Sequence, residues 1–149
     1  MENLDQQDRQ ILKLLASDGR MSYTDLAKAT GLSTSAAHQR VRRLEQRGVI
    51  LGYAAHIDLE TVGLPLTAFV SVSPISPADP DDIADLLAPL SAVEGCYSVA
   101  GDQNYILKVR VASPGSLEAL LSEIRATAHV TTRTTVVLSV PFEHRPPAL

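Results

Sequence analysis

Residues 66–140 run through one pattern twice, and that repetition restricts the fold more than any other feature of the chain. Leu66–Val72 alternates, with Ala68, Val70 and Val72 on one face, which is the period of a strand. Pro74, Pro77 and Pro80 end it. Ile83, Leu86, Leu87 and Leu90 then fall at spacings 0, 3, 4, 7 and predict a helix. Val93–Val99 reads as the next strand, Gly101-Asp102-Gln103-Asn104 as a turn, and Tyr105–Val111 as a third strand. On that third strand Tyr105, Leu107, Val109 and Val111 share one face, and Ile106, Lys108 and Arg110 the other. Leu117, Leu120, Leu121 and Ile124 restore the helical spacing, and Val130–Val140 closes as a long strand. The order βαββαβ is the split-βαβ or ferredoxin-like arrangement. Two helices cover only one face of its sheet. The other displays Phe69, Tyr97, Val99, Ile106 and Val137, which predicts association with a second copy, at least as a two-fold homodimer.

The first sixty residues have a different character. Leu4 to about Ser17 reads as a helix capped by Asp5, with Asp8 as a second acid in the first turn and Leu4, Ile11, Leu12, Leu14 and Leu15 on its buried side. Gly19 suits a left-handed C′ position. Ser22 opens a second helix, Tyr23 to Thr30, that buries Leu26 and Ala27. Gly31-Leu32-Ser33 turns into a third helix with Ser33 as its N-cap and an apolar stripe of Ala37, Val41 and Leu44. Residues 33–47 carry Arg40, Arg42, Arg43 and Arg47 against Glu45 alone, a local charge of +3 in a chain of net charge −4. Such a reversal of sign points to a polyanionic partner. The layout is that of a helix-turn-helix, in which the second helix of the pair enters the major groove of double-stranded DNA. A plain helical hairpin with solvated arginines has the same pattern. Gly48 ends the basic helix, and the two apolar runs around Gly52 read as a small β-hairpin, or wing.

Charge separates the halves. Residues 1–60 hold 8 Lys+Arg and 8 Asp+Glu, residues 61–149 hold 5 and 9. The expected division is a DNA-binding domain at 1–57, a linker at 58–65, an oligomerisation domain at 66–142 and a loose tail at 143–149. The fold class is α+β. No apolar run reaches the roughly 18 residues of a membrane span, and Met-Glu-Asn-Leu-Asp has neither part of a signal peptide. Cys96, the single cysteine, reads as a small apolar strand residue and suits a reducing, cytoplasmic setting. Four scattered histidines make no metal site. Nucleophile elbow, phosphate loop and paired acid with base are all missing, which argues against an enzyme.

Taken in order, these segments resemble the Lrp/AsnC family, the feast/famine transcription regulators of bacteria and archaea. The resemblance runs from Leu4 to about Val140. It is carried by Leu4-Asp5-Gln6-Gln7-Asp8-Arg9-Gln10-Ile11-Leu12, by Asp18-Gly19-Arg20 and Gly31-Leu32-Ser33, and by Arg40-Val41-Arg42-Arg43-Leu44-Glu45 with Gly48-Val49-Ile50 and Gly52-Tyr53. Gly101-Asp102 before Tyr105, and Thr132-Arg133-Thr134 before Val136-Val137, complete it. The resemblance implies a winged helix-turn-helix, a dimerising effector domain that assembles further, often to octamers, and control by a small molecule, usually an amino acid, bound between neighbouring effector domains. No cofactor is implied.

Ser33, Thr34, Ser35 and His38 occupy the first turns of the basic helix, where side chains reach base edges. Gln39 has the geometry for adenine, and Arg40 or Arg43 for guanine. Arg42 and Arg47 read as phosphate contacts. His38 reads equally as a solvated surface histidine. Ser35, Gln39 and Arg40 are the strongest candidates. By composition Gly101-Asp102-Gln103-Asn104 is an ordinary turn. By the resemblance Ser98, Gly101, Asp102, Gln103, Asn104, Tyr105, Ala126, Thr134, Val136 and Val137 lie in or beside the effector pocket. Family members commonly carry an acid where this chain has Asn104, so either Asp102 meets an ammonium group or the effector preference differs. A DNA-bending chromatin protein of weak sequence preference is the alternative function, and the acidity outside one helix speaks against it. The βαββαβ unit also serves as a ligand-sensing attachment to enzymes.

Overall fold

The structure is a computed structural model that describes residues 4–76 and 82–148. Pro77 and Pro80, expected to break the first strand, fall outside those residues. The chain divides into two compact units, one comprising Met1–His56 with Pro141–Leu149, the other Ile57–Val140.

The first unit is built on three helices, α1 (Gln6–Ser17), α2 (Tyr23–Thr30) and α3 (Thr34–Gln46). Each begins where a short polar side chain satisfies an orphan amide of the first turn. Asp5 accepts from the Asp8 N–H at 2.8 Å, Ser22 from Asp25 at 3.1 Å and Ser33 from Ala36 at 3.2 Å. Ile11, Leu26, Ala27, Ala37, Val41 and Leu44 form the core. Gly31 has φ +70, the left-handed conformation that lets α2 stop and α3 start within one short turn. Gly19 does not take the left-handed form expected of it, since Asp18 caps α1 in an extended conformation. Instead the Tyr53 ring packs beside Gly19, 3.4 Å from where a Cβ would stand.

No hairpin forms around Gly52; residues 51–58 run without a ladder. The physical reason lies at the end of α3. The amides of Val49 and Ile50 both donate to the Leu44 carbonyl, at 2.9 and 3.2 Å, so they close the helix and have no strand to pair with. Tyr53 then donates to Glu45 at 3.0 Å and ties the arm to α3. The C-terminal segment, expected to be loose, is part of this unit: the His144 and His56 rings lie 4.2 Å apart.

The second unit is the split-βαβ: β1 (Leu66–Pro74), α4 (Ile83–Leu87), β2 (Val93–Ser98), β3 (Tyr105–Val111), α5 (Pro114–Ala128) and β4 (Val130–Val136). The sheet order is β2-β3-β1-β4, and every pairing is antiparallel. Ala68, Val70, Val72, Leu107 and Val109 are buried against Ile83, Leu87, Leu117, Leu120 and Ile124. Both helices therefore lie on one face. β4 is shorter than its apolar run suggests. Val137 still donates to the Thr67 carbonyl at 3.0 Å, and beyond it only Leu66 of β1 is left. Cys96 is exposed, because β2 is an edge strand.

Candidate functional site

Two places in the molecule have the character of a binding site. The first is α3. Its buried stripe of Ala37, Val41 and Leu44 turns the opposite face outward. Ser35, Gln39, Arg42 and Gln46, at i, i+4, i+7 and i+11, line that face and are all exposed. Gln46 was not among the expected contacts, although the same periodicity pointed to it. Ser33 and Thr34 are exposed at the helix start. His38 is exposed on the flank and meets the Tyr23 ring edge-on at 4.7 Å.

Arg40 is placed otherwise than a base-reading role requires. Its side chain is 23% exposed, and its guanidinium donates to Asp5 at 2.6 Å and Asp8 at 2.7 Å. Arg43, half exposed, donates to both oxygens of Asp8 at 3.1–3.2 Å. These pairs tie α1 to α3. The Asp5 carboxyl is held below its usual range, first by the Asp8 backbone N–H and then by Arg40. In return Asp5 and Asp8 hold the Arg40 proton more tightly. Arg47 caps α3 and donates its backbone N–H to the Arg43 carbonyl at 3.0 Å. Arg42 makes no ion pair among the described residues.

The second place is a cleft of about 420 Å³ on the uncovered face of the sheet, lined by Ser71, Ser73, Asp102, Gln103, Thr131, Thr132 and Arg133. Strand parity explains most of the strand residues in this lining; Thr132, opposite Val72, is the exception, and its hydroxyl accepts from Arg125 of α5 at 3.1 Å. Ser71 of β1 stands opposite Arg133 of β4 in the register, and Ser73 opposite Thr131, so these side chains share the face away from the helices. The β2–β3 turn closes one end, held by Asn104, whose N–H donates to the Val72 carbonyl at 3.2 Å. The cleft thus combines one guanidinium, one carboxylate and several hydroxyls, a set suited to a small zwitterion.

Of the residues expected at an effector pocket, only Asp102 and Gln103 line this cleft. Ser98, Tyr105, Thr134 and Val136 pair in register with Tyr105, Val72, Val70 and Ala68, so they face the helices. Ala126 is on α5, in the other layer. Gly101 is exposed in the turn beside the cleft. Val137 lies beside Thr67, at the opposite end of β1 from Ser73. Ser71, Ser73, Thr131, Thr132 and Arg133 line the cleft and are not among the residues expected at the effector pocket. Arg133 lies between two threonines, and only cross-strand register tells that its side chain stands on the face away from the helices.

The arrangement has close counterparts. Residues 4–50 match the family model for winged helix-turn-helix DNA-binding domains, and residues 67–147 match that of the Lrp/AsnC ligand binding domain. The HTH-type transcriptional regulator LrpA of Mycobacterium tuberculosis is 50% identical over 144 residues, 97% of this chain and 96% of the relative. A feast or famine regulatory protein from M. tuberculosis, solved in complex with L-methionine, superimposes with a TM-score of 0.95 at 49% identity, over 97% of this chain and 99% of the other. Escherichia coli AsnC superimposes with a TM-score of 0.87 at 28% identity, over 95% and 97%.

Proposed function

We propose, from the premise that this chain belongs to the Lrp/AsnC family of DNA-binding transcription regulators, that it reads operator DNA through the outward face of α3 and that an amino acid bound in the sheet cleft modulates the reading. Ser35 and Gln39 face base edges, with Gln39 suited to adenine. Arg42 and Gln46 meet phosphates, and Ser33, Thr34 and His38 approach the groove from the helix start. Arg47 stands at the rim, while Arg40 and Arg43 are turned to the carboxylates of Asp5 and Asp8. Two such heads, joined in a homodimer through the uncovered sheet face, address successive major grooves, and further assembly to an octamer multiplies them. The place of action is the cytoplasm, at the nucleoid. No helix among the described residues is long and apolar enough to cross a membrane.

The observation that carries the effector reading is the cleft's pairing of Arg133 with Asp102. A free amino acid carries a carboxylate for the one and an ammonium for the other. The M. tuberculosis protein solved with L-methionine supports the same ligand class. The ligand acts by binding one arrangement of the assembly more tightly than another, which shifts operator affinity by the same coupling. Thermal-shift measurements with each of the twenty amino acids test this. At least one should raise the melting temperature, by the equivalent of about 2.7 kcal/mol at 100 times Kd, and lose that effect in Arg133→Ala. If no amino acid shifts the wild-type protein, the effector reading fails.

A further inference from the structure

Among the described residues Asp8 is the only buried charged side chain, 2% exposed, and its carboxylate faces the recognition helix. One oxygen accepts from Arg40 at 2.7 Å and Arg43 at 3.2 Å, and the other accepts from Arg43 at 3.1 Å. Asp5, at the cap of the same helix, takes Arg40 at 2.6 Å. Two carboxylates of α1 thus face two of the four arginines in residues 33–47. Glu45, the acid of α3 itself, is turned to the Tyr53 hydroxyl at 3.0 Å. The positive charge that α3 offers to a polyanion is therefore well below what its arginine count suggests.

We propose that Asp8 is a specificity-determining residue of DNA recognition. By holding Arg40 and Arg43 against α1 it keeps two guanidinium groups off the phosphate backbone, so recognition rests on the outward face of α3. The physical reason is that phosphate contacts attract any sequence equally. Each adds about 0.9 to the slope of log K against log salt concentration, whereas base contacts discriminate. A helix presenting all its arginines would hold random duplex more tightly and lose selectivity against the large excess of non-specific sites. The inference depends on α3 being the DNA-contacting helix, and one variant tests that dependence separately.

Full-length wild type, Asp8→Asn, Arg43→Gln and Arg42→Gln are compared on two duplexes, one of random sequence and one selected by the wild-type protein from a random pool. Affinities are measured from about 50 to 200 mM salt, the range over which phosphate contacts dominate the change. Asp8→Asn keeps the size of the side chain and removes its charge. With Arg40 still held by Asp5, the release of Arg43 should steepen its slope on random duplex by about 1, and its selectivity should fall. Arg43→Gln should leave the wild-type slope unchanged, because Arg43 is engaged by Asp8. An unchanged or shallower slope in a cooperatively melting Asp8→Asn overturns the proposal. So does a slope lowered by about 1 in Arg43→Gln, which also decides the matter if Asp8→Asn does not fold. Arg42→Gln should lower the slope by about 1. If it does not, α3 is not the contacting helix, and the reading beneath the proposal fails with it.

Discussion

Tyr53 shows at the scale of one residue how the arm after α3 is fixed. Its hydroxyl donates to Glu45, and its ring lies beside Gly19. Partial burial, and then the Glu45 carboxylate, push its pKa up to about 12. The folded value exceeds the unfolded one, near 10. The contribution to stability is therefore complete below about pH 10 and disappears as pH rises from 10 to 12. Tyr53→Phe should melt below wild type at pH 8, and the gap should close by pH 12. A gap that persists undiminished would mean that the hydroxyl does not contribute. Neither this contact nor the fate of Arg40 is readable along the chain. Asp8 lies 32 positions before Arg40, and their pairing depends on how α1 crosses α3. By contrast, Ser33 as a cap and Ala37, Val41 and Leu44 as a buried stripe are local properties of one helix, and the structure has them as the spacing implies.

At the scale of elements, the order of strands and helices in the second unit follows from alternation and spacing, while their ends do not. β4 stops near the first residue of β1, with only Leu66 left beyond Thr67, and the arm at residues 51–58 has no ladder because the first amides after α3 close the helix. The residues expected at an effector pocket fall in different places for a related reason. Choosing a face of β4 requires the register against β1, which no single strand contains. The sheet as a whole leaves one face without a helix. Phe69 and Tyr97 are 40% and 54% exposed there, and Ile106 lies opposite Tyr97. Arg110 and Glu94 pair at 2.7 Å on that face. Such a surface is what a homodimer would cover. Tyr97→Glu places a carboxylate on it and should shift sedimentation toward the monomer, with the wild-type melting profile otherwise kept. An unchanged oligomer would place the interface elsewhere.

For the whole molecule, two units of different charge carry two tasks. One presents a polar, exposed helical face suited to a groove, and the other holds a zwitterion-sized cleft on a sheet. Family membership makes the chain a DNA-binding regulator with a ligand-binding domain. The central claim beyond that is that α3 reads sequence and does not merely hold phosphate. The most direct test is competition, at one fixed salt concentration, between a duplex selected by the protein from a random pool and unselected duplex. The selected duplex should be preferred by roughly 10³-fold or more. Gln39→Ala should reduce that preference by about tenfold or more, the equivalent of about 1–3 kcal/mol for a lost bidentate base contact. A wild-type preference below about tenfold, untouched by Gln39→Ala, would contradict sequence reading by α3 and identify a protein that coats or bends DNA with little regard to its sequence.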